Sequence, residues 1–364
     1  MYHTVHLFLF VIFAKLHYFN YVKINELSVN KTKNEKPKFD FAVGGQALIE
    51  GVMMRSAHFV ALAVRKQDGS IKVHDWPFIS ICRRYKFLNI PIVRGVINMV
   101  ETMIIGFKAM NISAEEAIET QEEILEKHKP EVLVESHKTN IWTEIVSMAM
   151  FVLNLIIALA LGLALFKFAP LYITEFLRAV SPTIAGSDFL YNLIDGGLKI
   201  TIFITYILLI GLIPSIGRVF SYHAAEHQAV FAYEHAPEVN VETARRQTRF
   251  HPRCGTSFIF LVLIVSILIY TLVPRNENFL LQFLQRLAVL PLIAGVGYEV
   301  LKTSAKYQNS PFVRWITVPG LWLQRLTTRE SDDSQLEVAA TALNRTLELE
   351  TNFTMSAVKN ESTS

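Results

Sequence analysis

The chain has 364 residues, of which 51% are hydrophobic and only 18% charged, against about a quarter charged in an ordinary soluble domain. A formal charge of +3 is too small to argue for nucleic acid as a partner, and two cysteines far apart, Cys82 and Cys254, argue against a disulfide scaffold. Mean hydropathy is +0.32, and the apolar residues are bunched into stretches of about 20 with almost no charge, the pattern of a membrane protein.

Residues 1–40 read as an extension and linker. Positions 1–22 are apolar and aromatic but lack the charged start and small-residue cleavage site of a signal peptide. Residues 41–86 are expected to form a small cytoplasmic β-containing domain. FVALAVRK (59–66) and IKVHDWPF (71–78) are β-rich runs around Gln67-Asp68-Gly69-Ser70, the composition of a hairpin turn. Upstream, Gly44, Gly45 and Gly51 cluster around Glu50, which suggests tight backbone contacts; the Gly-Lys-Ser/Thr ending of a phosphate loop is missing.

Residues 87–140 read as interfacial and acidic helices. The apolar run 88–110 carries Arg94, Glu101 and Lys108, which suits an interfacial or re-entrant helix. Ser113 and Glu116 make a capping-box pattern at the start of an acidic helix. Within a bundle over 141–326, four spans are expected, at 142–169, 197–220, 256–274 and 279–301. Residues 312–326 are too short to span and carry two tryptophans, as an interfacial or re-entrant piece would. From 327 onward a short polar helix and a disordered tail are expected.

Basic residues gather in the N-terminal domain, in the loop 221–255 (Arg245, Arg246, Arg249, Arg253) and after residue 301, whereas 170–196 is acidic. By the positive-inside rule, both termini and the 221–255 loop then lie on the cytoplasmic side. The expected fold class is mainly α: a polytopic helical membrane protein with about four transmembrane helices, interfacial helices and a small N-terminal β-containing domain.

The chemistry is concentrated at Ser221-Tyr222-His223-Ala224-Ala225-Glu226-His227. His223 and His227 share a helix face and can hold one divalent ion, most simply zinc. Glu226 between them is placed as a general base on a water held by such an ion, in the H-x-x-E-H order. His251 and Cys254, three residues apart, are further ligand candidates. Glu299 is an acid in an otherwise apolar helix, expensive in lipid and therefore a functional candidate; pairing with Arg286 or Lys302 is its structural alternative. Glu234 returns to the His227 face two turns on, and Glu50 is a weaker candidate. His58 and His74 are read as hairpin residues, and Met53-Met54 as core.

Four blocks in order, GGQALIEGVMMRS (44–56), YHAAEHQAVFAYE (222–234), HPRCGTSF (251–258) and GLWLQRLTTRESDDSQLEVA (320–339), resemble the YqhQ-like family. These are polytopic membrane proteins of bacteria and plastids with a domain of unknown function and the label of a metal-dependent enzyme. The resemblance covers about 41–343. It implies a multi-pass protein of a bacterial inner membrane or a plastid membrane, linked to a metal, and brings no substrate with it. Ala224 stands where the family's motif has glycine.

Three functions compete. The first is a metal-dependent hydrolase acting on a membrane-associated peptide or lipid, with His223 and His227 as ligands, Glu299, or else His251 or Cys254, as the third, and Glu226 as base. The second is a non-catalytic assembly or interaction protein whose structural metal is closed by His223, His227, His251 and Cys254. An ion transporter ranks last, since only Arg286 and Asn154 qualify as mid-membrane polar residues. Membrane lipids are the expected partners, and a second copy of the chain is left open.

Overall fold

The computed structural model describes residues 43–118 and 150–361, apart from 151, 152, 155, 253, 275, 308 and 309. The extension over 1–40, most of the acidic helix and Arg253 fall outside the described residues.

The N-terminal unit is a four-stranded antiparallel meander in the order β1 (Gly44–Leu48), β2 (Gly51–Arg55), β3 (Phe59–Arg65) and β4 (Ile71–Pro77). The expected hairpin is β3–β4, in register from Phe59↔Pro77 to Arg65↔Ile71. Gly69 in its turn has φ +84°, a backbone state that glycine adopts without steric cost. The turn between β1 and β2 is made by Ile49 and Glu50, and Glu50 holds φ 50°. The two central strands are apolar at nearly every position because the sheet is covered on both faces. On one face Leu48, Met53, Val60 and Leu62 meet Ile105 and Ala109 of helix α1 (Val93–Ile118). On the other, Val52, Met54 and Ala63 meet two later helices.

Helix α1 runs unbroken through Ser113, so the expected capping box is not a helix start. Ser113 is interior to the helix and gives its hydroxyl proton to the Ile49 carbonyl. Glu116 collects Lys72 at 2.6 Å, His74 at 2.9 Å and Lys66 at 3.4 Å. The face of α1 that packs on the sheet continues past Ser113, and the helix continues with it.

Three helical segments are long and apolar enough to cross a membrane: α2 (Ile156–Val180), α3 (Asp188–Gly211) and Phe279–Thr303. The last comprises α6 (Phe279–Ala288) and most of α7 (Leu290–Lys306). Before them in sequence come α4 (Pro214–His235) and α5 (Gly255–Leu272). The apolar run of α5, Phe258–Leu272, is shorter than the other three. The segment 170–196, expected as a loop, is largely helical: α2 reaches Val180, and Ser187 caps α3 by accepting from the Leu190 N–H. The expected span 197–220 is correspondingly divided. Leu212 and Ile213 interrupt it, and Pro214 opens α4, where its missing N–H leaves no helical bond unmade.

Small residues set the helix approaches, as in other membrane bundles. A Cβ on Gly196 of α3 would lie 2.2 Å from Ile267 of α5, and one on Gly95 of α1 would lie 3.1 Å from the Gly295 Cα of α7. Beside the second contact Arg94 grips the Glu299 carboxylate, with Nε to Oε1 at 2.7 Å, and Asn98 donates to the Tyr298 hydroxyl at 2.9 Å.

Helix α8 (Pro311–Thr327) packs along α5. The chain then forms α9, 29 residues from Asp333 to Glu361, where a short helix and disordered tail were expected. Its core stripe is Leu336, Ala339, Ala340 and Leu343, at helical spacing, packed on the sheet and on α4. Alanine gives this stripe a weak hydrophobic signal, so tertiary packing rather than local pattern sustains the helix.

Glu350 of α9 is buried. It accepts from the Ser56 hydroxyl at 2.6 Å and the His58 N–H at 3.2 Å, and lies 2.5 Å from His58 Nδ1. Burial pushes its carboxyl up, but these bonds prevail and hold it below the ordinary 4.5. Its contribution is therefore complete above the ordinary carboxylate range and lost as pH falls through the lower folded value. Glu350→Gln should lower the unfolding free energy at neutral pH by about 1–3 kcal/mol and flatten the acid limb of a stability-against-pH curve measured by denaturant unfolding.

Candidate functional site

Helix α4 lies between the sheet and the membrane helices, in contact with β1, α3 and α9. Tyr222, Ala225 and Ala229 join the core beneath the sheet. The small residues of this face bring α4 close enough that Gly45 of β1 touches Glu226. A Cβ on Gly45 would stand 2.6 Å from Glu226 Cγ and 2.8 Å from Oε1, and the Gly45 N–H donates to the carboxylate. The tight backbone contact expected around the upstream glycines is thus made with Glu226.

His223 and His227 face the same way one turn apart, with ring centroids 4.4 Å from each other. Each is held by a main-chain carbonyl: His223 Nδ1 is 2.9 Å from the Thr327 oxygen, and His227 Nδ1 is 2.5 Å from the Arg249 oxygen. A carbonyl only accepts, so Nδ1 carries the proton in both rings and the Nε2 lone pairs are free of it. His223 Nε2 lies 3.1 Å from Cys254 Sγ. His227 Nε2 is buried without a hydrogen-bond partner, 3.6 Å from Glu226 Oε2. One ligand atom from each of His223, His227 and Cys254 lies within 4.8 Å of the other two.

Cys254 is the N-cap of α5; it accepts from the Thr256 N–H at 3.4 Å and lies 3.0 Å from the Thr256 hydroxyl. The donor set of two imidazoles and a thiol, with an orphaned buried nitrogen among them, fits a zinc-class cation.

Burial pushes the Glu226 carboxyl above its usual range, opposed by His223, His251 and the Gly45 N–H. Burial pushes His227 down, opposed by Cys254, and pushes His251 down, opposed by Glu226. An imidazole biased toward the neutral form, as His227 is, suits ligation rather than ion pairing.

His251 lies beside the cluster but outside the three-residue group. Its ring is 5.8 Å from that of His227 between centroids, and Nε2 is 3.5 Å from Glu234. Gln324 of α8 clasps its backbone, accepting from N–H at 2.8 Å and donating to the carbonyl at 2.7 Å. Glu299 is not brought to the cluster; Arg94 holds it at the α1–α7 contact. That partner is 205 residues away and is neither Arg286 nor Lys302. Glu50 binds Arg218 and accepts from the Tyr222 hydroxyl at 3.2 Å, while His58 and His74 are tied to Glu350 and Glu116. The carbonyls of Thr327 and Arg249 escaped sequence reading, because a main-chain acceptor leaves no residue-type signal.

Residues 90–349 match the model of a family described as protein of unknown function (DUF1385). The chain belongs to this family. It is also 33% identical over 315 residues to Uncharacterized protein YqhQ of Bacillus subtilis (strain 168), covering 86% of this chain and 95% of that protein. The resemblance read from the four sequence blocks therefore holds. No solved structure matches. The DUF1385 match takes in His223, Glu226, His227, His251, Cys254 and Glu299, whereas Gly45 and the sheet precede it.

Gly45→Ala should displace the strand or the Glu226 side chain and cost about 1–3 kcal/mol, because the Met53 carbonyl, a backbone atom, also stands 2.8 Å from the new Cβ. Gly44→Ala, with nothing within 4 Å, should melt close to wild type in the same thermal unfolding measurement.

Proposed function

We propose that this chain is a membrane-bound hydrolase in which His223, His227 and Cys254 hold one zinc-class divalent cation and Glu226 is the general base. The supporting observation is the pair of carbonyl-anchored imidazoles, Thr327 O on His223 and Arg249 O on His227, which turns both Nε2 atoms toward the thiol side of the helix. Three protein ligands are the number used by catalytic zinc sites, which keep a position open; structural sites use four.

When bound, such a cation polarises a carbonyl or phosphoryl oxygen and acidifies water. The chain's own residues supply the rest. Glu226, its carboxyl raised by burial, takes a proton from water and returns it to the leaving group. The Gly45 N–H fixes the orientation of that carboxylate. Burial of Glu226 and His227 keeps bulk water from competing. The substrate class is membrane-associated, either a peptide bond near the bilayer surface or a lipid headgroup, since α4 continues directly from the apolar α3.

The same reading has α5 as a fourth crossing and both termini on the cytoplasmic or stromal face of a bacterial inner or plastid membrane. Arg245, Arg246 and Arg249 between α4 and α5 support that orientation. A second reading, a structural cation in an assembly protein, draws on His251 as fourth ligand at its 5.8 Å ring separation from His227.

Metal analysis of purified protein should find about one zinc-class ion per chain, lost in His227→Ala and Cys254→Ser and retained in Glu226→Gln and Glu299→Gln. In a host lacking the gene, Glu226→Gln should hold metal yet fail to restore the untargeted lipid and peptide profile. A silent Glu226→Gln beside a misfolded His227→Ala supports the structural reading. Wild-type protein that carries no metal rejects both.

A further inference from the structure

A second polar group lies inside the apolar bundle, apart from the histidine cluster. In α3, Lys199 Nζ is 2.5 Å from Asp195 Oδ2. Arg286 of α6 binds the same Asp195 oxygen and donates to Asn192 Oδ1 at 2.7 Å. Lys167 of α2 approaches the Tyr270 hydroxyl at 3.4 Å. The Tyr270 ring of α5 is faced by all three cations, Lys167 at 5.4 Å, Lys199 at 4.9 Å and Arg286 at 4.9 Å from its centroid. Asp195, Lys199 and Arg286 are at most 4% exposed. With a rise of 1.5 Å per residue, Asp195 lies about 10 Å and Lys199 about 16 Å from the start of α3, and Arg286 lies about 10 Å from the start of the apolar segment Phe279–Thr303.

The charges do not balance. Three cations share one carboxylate, and the neighbouring acid, Glu175, is spent on Arg178 at 3.0 Å and on the Tyr191 hydroxyl at 2.7 Å. Counted at their formal charges, these side chains leave two more cations than anions among the described residues, between apolar helices where even one charge is expensive and, where present, functional. The Tyr270 face attracts cations but neutralises none of them. Arg286 Nε is buried without a hydrogen-bond partner, and so is Asp195 Oδ1. A planar guanidinium with a free edge beside two ammonium groups is the donor set that recognises a phosphate.

We infer that Lys167, Lys199 and Arg286 bind the phosphate of an anionic ligand within the membrane bundle. The ligand supplies the missing negative charge and an acceptor for Arg286 Nε. Lys167 is only half-buried, on a helix whose apolar window is 11% buried, so it marks the lipid-facing entry. Two sources offer this chemistry: the headgroup of an anionic phospholipid, or free phosphate.

The test uses the full chain in a neutral detergent and measures binding of inorganic phosphate and, separately, of phosphatidylglycerol, with diacylglycerol as the uncharged control. Lys167→Met and Lys199→Met should each weaken binding about tenfold, Lys167→Arg should keep it, and Arg325→Gln, which removes an exposed charge, should leave it unchanged. Binding of phosphatidylglycerol alone assigns the site to lipid; binding of both assigns it to phosphate as such. Gel filtration and thermal melting establish that each variant is folded, and Lys167→Met, at the half-buried edge, is the decisive one. The proposal is overturned if neither probe binds, if Lys167→Met binds like wild type, or if Arg325→Gln weakens binding as much as Lys167→Met does.

Discussion

The contact between Gly45 and Glu226 constrains everything around it. A buried carboxylate is costly unless hydrogen-bonded, and this one is met by a strand whose backbone reaches it only because glycine has no side chain. The contact fixes how β1 crosses α4, and the alternation of the strands then fixes the rest of the sheet. Val52, Met54 and Ala63 fall onto α4 and α9, and Leu48, Met53 and Leu62 fall onto α1. Glu226, which receives β1, directly precedes His227 on α4, whose histidines turn to Thr327, Arg249 and Cys254 on another side of the helix. The sheet and the histidine pair are thereby parts of one packing problem.

Long-range polar contacts then join the layers. Arg94 with Glu299 closes α1 on α7, Glu350 with Ser56 and His58 closes α9 on the sheet, and Gln324 with the His251 backbone closes α8 on the loop before α5. Each is at least partly buried, so each is less screened than an exposed pair would be. They connect segments between 73 and 294 residues apart. The loop carrying His251 and Cys254 is consequently held from α4 by the Arg249 carbonyl and from α8 by Gln324, which gives the cluster a rigid support on two sides.

Much of this was legible in the sequence wherever period and turn chemistry agree. The β3–β4 hairpin, the apolar helices and the shared face of His223 and His227 follow from spacing alone. Failures occurred where tertiary partners override local pattern. Ser113 and Glu116 have the spacing of a cap, yet Ile105 and Ala109 bind the sheet and carry the helix through. The alanine stripe of α9 is too weakly hydrophobic to announce a 29-residue helix. Asp195 fell in the expected loop 170–196, whose acidic composition suggested exposure; it is instead buried within α3. The first span, expected to end at residue 169, continues to Val180, so Lys167 lies inside the helix. Glu299 was singled out as an acid in an apolar helix, and its partner, Arg94, lies 205 residues away, out of reach of local pattern.

The distribution of imperfect polar burial carries the last step. Among the described residues, buried side-chain atoms without hydrogen-bond partners include His227 Nε2 at the α4 cluster and Asp195 Oδ1 and Arg286 Nε in the bundle. Arg65 Nε and Arg178 Nε share this condition, whereas Glu350 and Glu101 are well matched: Glu101 accepts from the Ser80 hydroxyl at 2.8 Å and the Ile81 N–H at 2.6 Å. A chain able to satisfy those carboxylates so fully was not forced to leave the others short, and local inconsistency of this kind concentrates where function rather than folding has set the residue. The two places differ in kind: at α4 the unpaired atom is an imidazole lone pair, whereas the bundle carries both an unpaired donor, Arg286 Nε, and an unpaired acceptor, Asp195 Oδ1, beside an excess of cationic side chains. The two proposed ligands, a cation and an anion, therefore belong to separate parts of the fold.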